Sequence, residues 1–233
     1  MATNESRAAI VDDVMVSRRA VRAFLPDDVP ADTIRAILKA ARWAPSGSNT
    51  QPWKVYVLRG RAKERLSSDL MAVYDDPQLR ANETEAYAYY PTTWKSPFLE
   101  RRRKVGWDLY GLLGLKREDK RGMHVQLGRN FCFFDAPVAL IFTMDRTMEL
   151  GSWLDYGMFL QNVMLAAQAR GISTCPQAAF TPFHRIIARF LALPEDEGFV
   201  CGMSMGYADM RRVENHLKTE RETLENFVVF KDE

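Results

Sequence analysis

Hydrophobic positions recur about every three to four residues in several segments, and this spacing predicts amphipathic helices. The longest such segment is followed by Gly171, a residue typical of a helix C-cap. The predicted helices cover residues 5–16, 30–43, 61–74, 117–131, about 153–170 and 181–193.

Other hydrophobic runs are short, continuous and rich in β-branched or aromatic residues, as in buried strands. They are WKVYVL at 53–58, PVALIFTM at 137–144, ISTCPQAAF at 172–180, which runs into a turn, and FVCGMSMGY at 199–207. Strands separated by helices in one continuous pattern predict a single α/β or α+β domain over residues 1–233.

Two regions depart from this pattern. Residues 75–114 interleave aromatic residues with prolines and charges, and the region from Ala208 is polar until the apolar run LENFVVF at 224–230. Aromatic side chains dominate protein cores and dimer interfaces, so such packing is one interpretation of the first region. The apolar run near the C-terminus needs a partner surface.

Composition narrows the class of protein. Of 233 residues, 47% are hydrophobic and 27% charged, which is ordinary for a globular protein with a sizeable core. The net charge of +2 argues against a large nucleic-acid-binding surface. No apolar run approaches the roughly 18 residues of a membrane span, and the N-terminal segment carries acids where a signal peptide is basic. We therefore expect a cytoplasmic protein with neither a membrane nor a nucleic-acid partner.

The cysteines are odd in number and widely spaced, which supports neither a disulfide framework nor a structural zinc site. We expect three reduced thiols and no bound metal. The cysteines and the histidines that could join them as ligands are Cys132, Cys175, Cys201, His124, His184 and His216.

No hydrolytic or nucleotide-binding motif is present, such as GxSxG, GxxxxGK[ST], GxGxxG after a strand, or HExxH. If the protein is an enzyme, a bound cofactor is expected to carry the difficult chemistry. The stretch APSGSNTQPW at 44–53 is the most unusual feature, because an ordinary turn after a helix explains only about three of its ten residues.

Five segments together resemble the nitroreductase family of dimeric, flavin-binding oxidoreductases, in the family's order and at compatible separations. They are SRRAVRAF at 17–24, APSGSNTQPW at 44–53, TCPQAAF at 174–180, GMSMGYAD at 202–209 and TERETLENFVVF at 219–230. The resemblance implies an α+β fold of three layers, α-β-α, whose central, mostly antiparallel sheet is flanked by helices. It also implies an intertwined homodimer, with a lid at about 75–130 and a C-terminal tail at about 208–233 that wraps the other subunit.

The resemblance implies FMN as cofactor, with NADH or NADPH as electron donor. The FMN phosphate needs fixed cations, and the planar guanidinium group of arginine can bind two phosphate oxygens at once. By resemblance, Arg18, Arg19, Arg22 and Arg221 bind the cofactor. Family members usually have serine at the position of Ala20, so one hydroxyl contact is missing here.

Two loops are implied to contact the flavin. Pro45, Ser46, Gly47 and Asn49 approach it from the opposite subunit, and Gln51 supports that loop. The second loop runs along the ring face and is formed by Pro176, Gln177, Ala178 and Ala179.

A main-chain N–H of this second loop, near Ala178 or Ala179, is implied to donate to flavin N5. Many relatives have glycine at the position of Ala179, so the donor stays open between these residues. Cys175 is then interpreted as a small packing residue beneath the ring rather than a nucleophile.

The aromatic region gains a second interpretation as the family's variable lid, which stacks a planar substrate over the flavin. Its candidate residues are Tyr90, Trp94, Phe98 and Trp107. The basic run ERRRK at 100–104 is either a solvated helix face or an aid to an anionic substrate such as a nitrobenzoate.

We therefore expect an FMN-dependent NAD(P)H oxidoreductase that reduces nitroaromatic compounds to nitroso and hydroxylamine products. The two half-reactions alternate, hydride passes through flavin N5, and no side-chain acid or base is required. Other reactions on the same flavin site stay open: dehalogenation, enone reduction, flavin fragmentation and azoline oxidation. A flavin-sequestering protein without useful turnover is the alternative from another class.

Overall fold

The computed structural model describes residues 3–232, and its centre is an antiparallel sheet in the order β1-β2-β4-β3. All four strands coincide with hydrophobic runs of the sequence. Their bounds are β1 Lys54–Arg59, β2 Val138–Asp145, β3 Ser173–Gln177 and β4 Glu197–Gly206.

Helices occupy most of the remaining chain between residues 3 and 232. The α-helices are α1 Asn4–Ser17, α2 Ala31–Ala41, α3 Gly60–Asp75, α4 Pro77–Arg80, α5 Phe98–Leu112, α6 Lys120–Gly128, α7 Leu150–Gln168 and α8 His184–Leu191. Short 3₁₀ segments cover Gly47–Asn49, Arg129–Asp135, Ala178–Phe183, Val213–His216 and Leu224–Asn226.

Strand β2 shows why the sheet needs helices on both faces. Its side chains alternate between two cores, since neighbouring residues of a strand point to opposite faces. Leu140 and Phe142 pack with α2 and α7, whereas Ala139 and Ile141 pack with α3 and α8. All four are fully buried. The predicted three-layer α+β fold is thus confirmed.

Two predicted helices differ in detail. The segment predicted as helix at 181–193 is a 3₁₀ segment followed by α8, and Pro182 explains the break because it has no N–H to donate. The segment predicted at 117–131 is α6 followed by a second 3₁₀ segment. Gly171 adopts the left-handed φ of +70° expected of a residue just beyond a helix.

Helix α5 was not among the helices predicted from hydrophobic spacing. None of its residues is fully buried, so its apolar residues follow no core-facing stripe. Helix α6 packs differently, because the Tyr74 hydroxyl donates to the carbonyl of His124 at 2.9 Å and Gln126 is buried. The predicted lid at 75–130 therefore includes an exposed helix and one that packs on the body of the protein.

In the portion of the chain from residue 3 to residue 232, no helix has the length and apolar character needed to cross a membrane. The cytoplasmic location stays a prediction from the sequence.

Candidate active site

The end of β3 separates two cavities of about 600 Å³ each. Pro176, Gln177 and Ala178 line both cavities, and Tyr89 also borders both. The chain then turns into the 3₁₀ segment Ala178–Phe183. The segment that the sequence singled out thus forms a wall shared by these two cavities.

The side chain of Gln177 faces the core rather than a cavity. Its amide nitrogen donates to the carbonyl of Asn130 at 2.9 Å, and its amide oxygen accepts from the Ser204 hydroxyl at 2.6 Å. Gln177 is 3% exposed. Any ligand at this wall can therefore meet only the main chain of Gln177.

The main-chain N–H groups of Ala178 and Ala179 are the first of the 3₁₀ segment. The first N–H groups of a helical segment have no carbonyl partner within it. Both residues line the first cavity. Their main chain therefore borders any ligand bound there, and the role in flavin binding that the family resemblance implies for this stretch stays a prediction.

The predicted phosphate-binding arginines differ in their relation to this wall. Arg22 lines the first cavity together with Cys175. Burial lowers the pKa of Arg18, and the positive charge of Arg221 lowers that pKa further. The structure thus places Arg22 in the cavity lining, and Arg18 and Arg221 are not part of that lining.

Main-chain contacts hold the arginine segment in place. Ala20 forms a β-bridge with Thr174, which places the segment alongside β3. The N–H of Arg22 donates to the Asn215 side chain at 2.8 Å, and the Asn215 amide donates to the carbonyl of Ala23 at 2.8 Å. Arg19 is exposed and lies in neither cavity lining.

Asn130 and Asn215 are site residues that sequence reasoning missed. Asn130 lines the first cavity and binds Gln177, and Asn215 is 4% exposed. Each is a single amide that belongs to no recognisable motif, so no spacing distinguishes it. Only the tertiary contacts reveal them.

The loop 44–53 is held to α7 and lies outside both large cavities. The N–H of Gly47 donates to the carboxylate of Asp155 at 3.0 Å, and the N–H of Gln51 donates to the Ser46 hydroxyl at 3.0 Å. The Gln51 side chain donates to the carbonyl of Asn49 at 3.3 Å. Pro45, Asn49 and Gln51 instead line a separate surface cavity of about 400 Å³.

Three residues of this loop have a left-handed backbone: Ser48, Asn49 and Gln51. Such conformations are strained for residues with side chains and persist where the surroundings hold them. Within one chain, this loop lines a different cavity from Arg22.

The predicted lid residues divide into two pairs. Tyr90 lines the first cavity, and Trp94 lies behind it with ring centroids 5.4 Å apart. The guanidinium of Arg102 lies 5.0 Å from the Tyr90 ring and 4.9 Å from the Trp94 ring. Phe98 and Trp107 are exposed on α5 and line neither cavity.

The environment of Cys175 agrees with a packing role. Burial raises the pKa of its thiol to about 11, although Arg22 and Arg18 oppose the shift. The thiol is therefore protonated at neutral pH, and a protonated thiol is a poor nucleophile. Among residues 3–232, no three His, Cys, Asp or Glu side chains are grouped to hold a metal ion.

The fold and this site define an α+β protein with two adjoining cavities beside the edge strand β3, the first of them lined by Arg22. The model of the Nitroreductase family matches residues 15–207, so the chain belongs to that family.

Relatives match over nearly their whole lengths. The chain is 45% identical to the 4-nitrobenzoate reductase of Pseudomonas putida, over 94% of each chain. It is 41% identical to the chloronitrobenzene nitroreductase of Comamonas testosteroni, over 94% of this chain and 96% of the relative.

One solved structure is similar to this chain in fold. It is that of the FMN-dependent nitroreductase NfnB from Mycobacterium smegmatis in complex with NADPH, which is 32% identical with a TM-score of 0.91. The match covers 97% of this chain and 99% of the other.

Proposed function

We propose that this protein is an FMN-dependent NAD(P)H oxidoreductase that reduces aromatic nitro compounds to nitroso and hydroxylamine products. The observation that carries the proposal is the arginine segment 18–22, which lies alongside β3 and brings Arg22 to a cavity that is also lined by residues 176–179. The named activities of the relatives support the same reaction class.

The residues present fit FMN. Three arginines match a doubly charged phosphate, and arginine is the side chain best suited to bind it through paired hydrogen bonds. Ala178 and Ala179 are small, so a flat ring can approach their main chain closely. Two adjoining cavities of about 600 Å³ each offer room for a ring and a second ligand.

When bound, FMN supplies hydride exchange between NAD(P)H and the nitro compound. The protein holds the phosphate through the arginines and offers an N–H of Ala178 or Ala179 to the ring. A hydrogen-bond donor at the ring would stabilise negative charge that develops during reduction. The protein thereby positions two ligands in turn at one site.

The walls of the second cavity suit a planar aromatic substrate. Tyr87 and Trp153 meet edge to face with centroids 4.6 Å apart, and Leu160 adds apolar surface. Burial raises the pKa of Tyr87, whose hydroxyl donates to the carbonyl of Val200 at 2.5 Å. A neutral, fixed wall of this kind favours aromatic ligands.

We infer that the protein functions as a homodimer with active sites at the subunit interface. The loop 44–53 lines a different cavity from Arg22 of its own chain, as expected if the loop serves the partner's site. Large apolar side chains stand exposed on α1, α7 and the tail, and their burial would stabilise a dimer. They are Ile10, Val11, Met15, Val16, Leu150, Leu154, Leu224, Phe227, Val229 and Phe230.

The experiment that tests the function is an anaerobic visible spectrum of the purified protein. The flavin band is expected to bleach on addition of NADH or NADPH and to return after a pulse of 4-nitrobenzoate. Bleaching without return would contradict the reduction of nitroaromatic compounds but would agree with an oxidoreductase that uses another acceptor. No flavin band, even after incubation with FMN, would overturn the proposal.

The variant Arg221→Ala should purify with little FMN, because a charged hydrogen bond contributes about 1.5–3 kcal/mol. Its dissociation constant for FMN should rise about ten- to a hundredfold, measured by quenching of flavin fluorescence. Arg211→Ala is the matched control, since Arg211 is a nearby exposed arginine that pairs with Asp209. Equal FMN content in both variants would count against the assigned role of Arg221.

A further inference from the structure

Helix α5 contacts the chain segment that carries Arg221. Arg101 forms an ion pair with Glu222, and the ammonium of Lys104 lies 3.5 Å from the carboxylate of Glu220. These two acidic residues immediately flank Arg221. The basic run of α5, whose role the sequence left open, is thus engaged with the tail.

The segment that carries Arg221 has no regular secondary structure of its own. Residues 217–223 form neither helix nor strand. On one side of Arg221 Glu220 contacts α5, and on the other side Glu222 contacts it. These two contacts fix the position of the backbone that carries Arg221.

Arg221 needs such an attachment. Its guanidinium donates to Thr219 and to the carbonyl of Glu220, both within its own segment. These bonds fix the side chain relative to the segment but leave the segment unattached. The positive charge of Arg221 also lowers the pKa of Arg18, and such repulsion between like charges favours a bound anion.

We propose that Arg101 is a positioning residue, whose ion pair with Glu222 holds segment 219–223 so that Arg221 stands ready for the cofactor phosphate. The ion pair of Lys104 with Glu220 supports the same placement. This inference rests on the proposed binding of FMN. It assigns FMN affinity in part to a helix residue that lies in neither large cavity lining.

The test is a titration of the full-length apoprotein with FMN at low ionic strength, because salt screens exposed ion pairs. Quenching of flavin fluorescence gives the dissociation constant without any turnover. Arg101→Glu and Glu222→Arg should each raise it about three- to tenfold, since each loses the pair and places like charges together. The double variant, which combines Arg101→Glu with Glu222→Arg, restores an ion pair. Its dissociation constant for FMN should return to within about twofold of that of the unmodified protein.

Arg103→Glu is the matched control for net charge. Arg103 lies on the same helix and forms no ion pair with any residue between 3 and 232. The dissociation constant of this variant for FMN should stay within about twofold of that of the unmodified protein. If a charge reversal impairs folding, two milder variants replace it. Arg101→Gln should weaken FMN binding, and Arg101→Lys should retain it.

Equal losses in Arg101→Glu and Arg103→Glu would show a general charge effect and overturn the inference. A double variant that stays as weak as the single ones would overturn it as well. If the unmodified protein binds FMN and Arg101→Glu binds equally tightly, the inference alone fails. If the unmodified apoprotein does not bind FMN, the proposed function fails and the inference falls with it.

Discussion

Gly202 shows how one residue shapes the wall of the proposed site. It pairs with Gln177 across β3 and β4, and a Cβ added to it would lie 2.5 Å from a ring carbon of Phe180. Phe180 is fully buried in the same 3₁₀ segment as Ala178 and Ala179. The absence of a side chain at Gly202 therefore lets this segment lie close to the sheet.

Gly202→Ala should lower the free energy of unfolding by about 1–3 kcal/mol, because the buried ring must shift in a packed core. Chemical denaturation of the apoprotein measures this change. Gly151→Ala is the control, since a Cβ there meets no atom within 4 Å and alanine favours helix. A Gly202→Ala protein as stable as the unmodified one would contradict this account of the packing.

At the scale of secondary-structure elements, one carboxylate links three strands. Glu197 at the start of β4 is 6% exposed and accepts hydrogen bonds from Thr143 of β2 and Lys54 of β1. Burial would raise the pKa of Glu197, but the hydrogen bonds from Lys54 and Thr143 outweigh it and lower the pKa.

The pH dependence follows from this lowered pKa. An unfolded glutamate titrates near about 4.3. The stability contributed by Glu197 is therefore present above that pH and is lost as the pH falls through the lower pKa of the folded state. Acid should weaken the attachment of these three strands.

Thr143→Val should destabilise the protein by about 1–3 kcal/mol at neutral pH, since it leaves a buried carboxylate oxygen without its donor. The pKa of Glu197 should rise, so stability should fall at a higher pH than in the unmodified protein. Thr143→Ser keeps the hydroxyl and should keep the original pH profile. Denaturation curves between about pH 3 and 7 measure both, and identical pH profiles for the two variants would rule out the proposed role of Thr143.

At the scale of the whole molecule, the exposed apolar surface is the main unexplained feature of a single chain. The tail alone presents Leu224, Phe227, Val229 and Phe230, which are 62–83% exposed. Burying one such side chain contributes about 1.5–3 kcal/mol. A partner subunit would supply the surface for that burial.

Ending the chain after Thr223 should therefore weaken the proposed dimer by at least about tenfold, while Arg221 and Glu222 remain. Sedimentation velocity over a concentration series measures the change. Removing only residues 231–233 is the control, because these residues are polar and should not affect association. An unchanged dimer after the longer truncation would refute the predicted role of the tail.

The sequence by itself determined the strands, most helices and the family. The strands are buried hydrophobic runs such as 137–144, whose residue types and length specify their structure with little help from distant contacts. The segments around Arg18, Pro176 and Arg221 were recognised because each carries unusual residues in a short stretch. Helix α5 was not predicted because the basic run 100–104 interrupts any apolar stripe along it.

Only the tertiary structure decided how these segments meet. Gln177 donates to Asn130, Arg22 donates to Asn215, and Arg101 forms an ion pair with Glu222. Each of these contacts joins residues that are far apart in the chain. Such contacts depend on the path of the backbone in space and leave no periodic trace in local sequence. Short-range hydrophobic patterning therefore specified the elements, and long-range polar contacts specified the site.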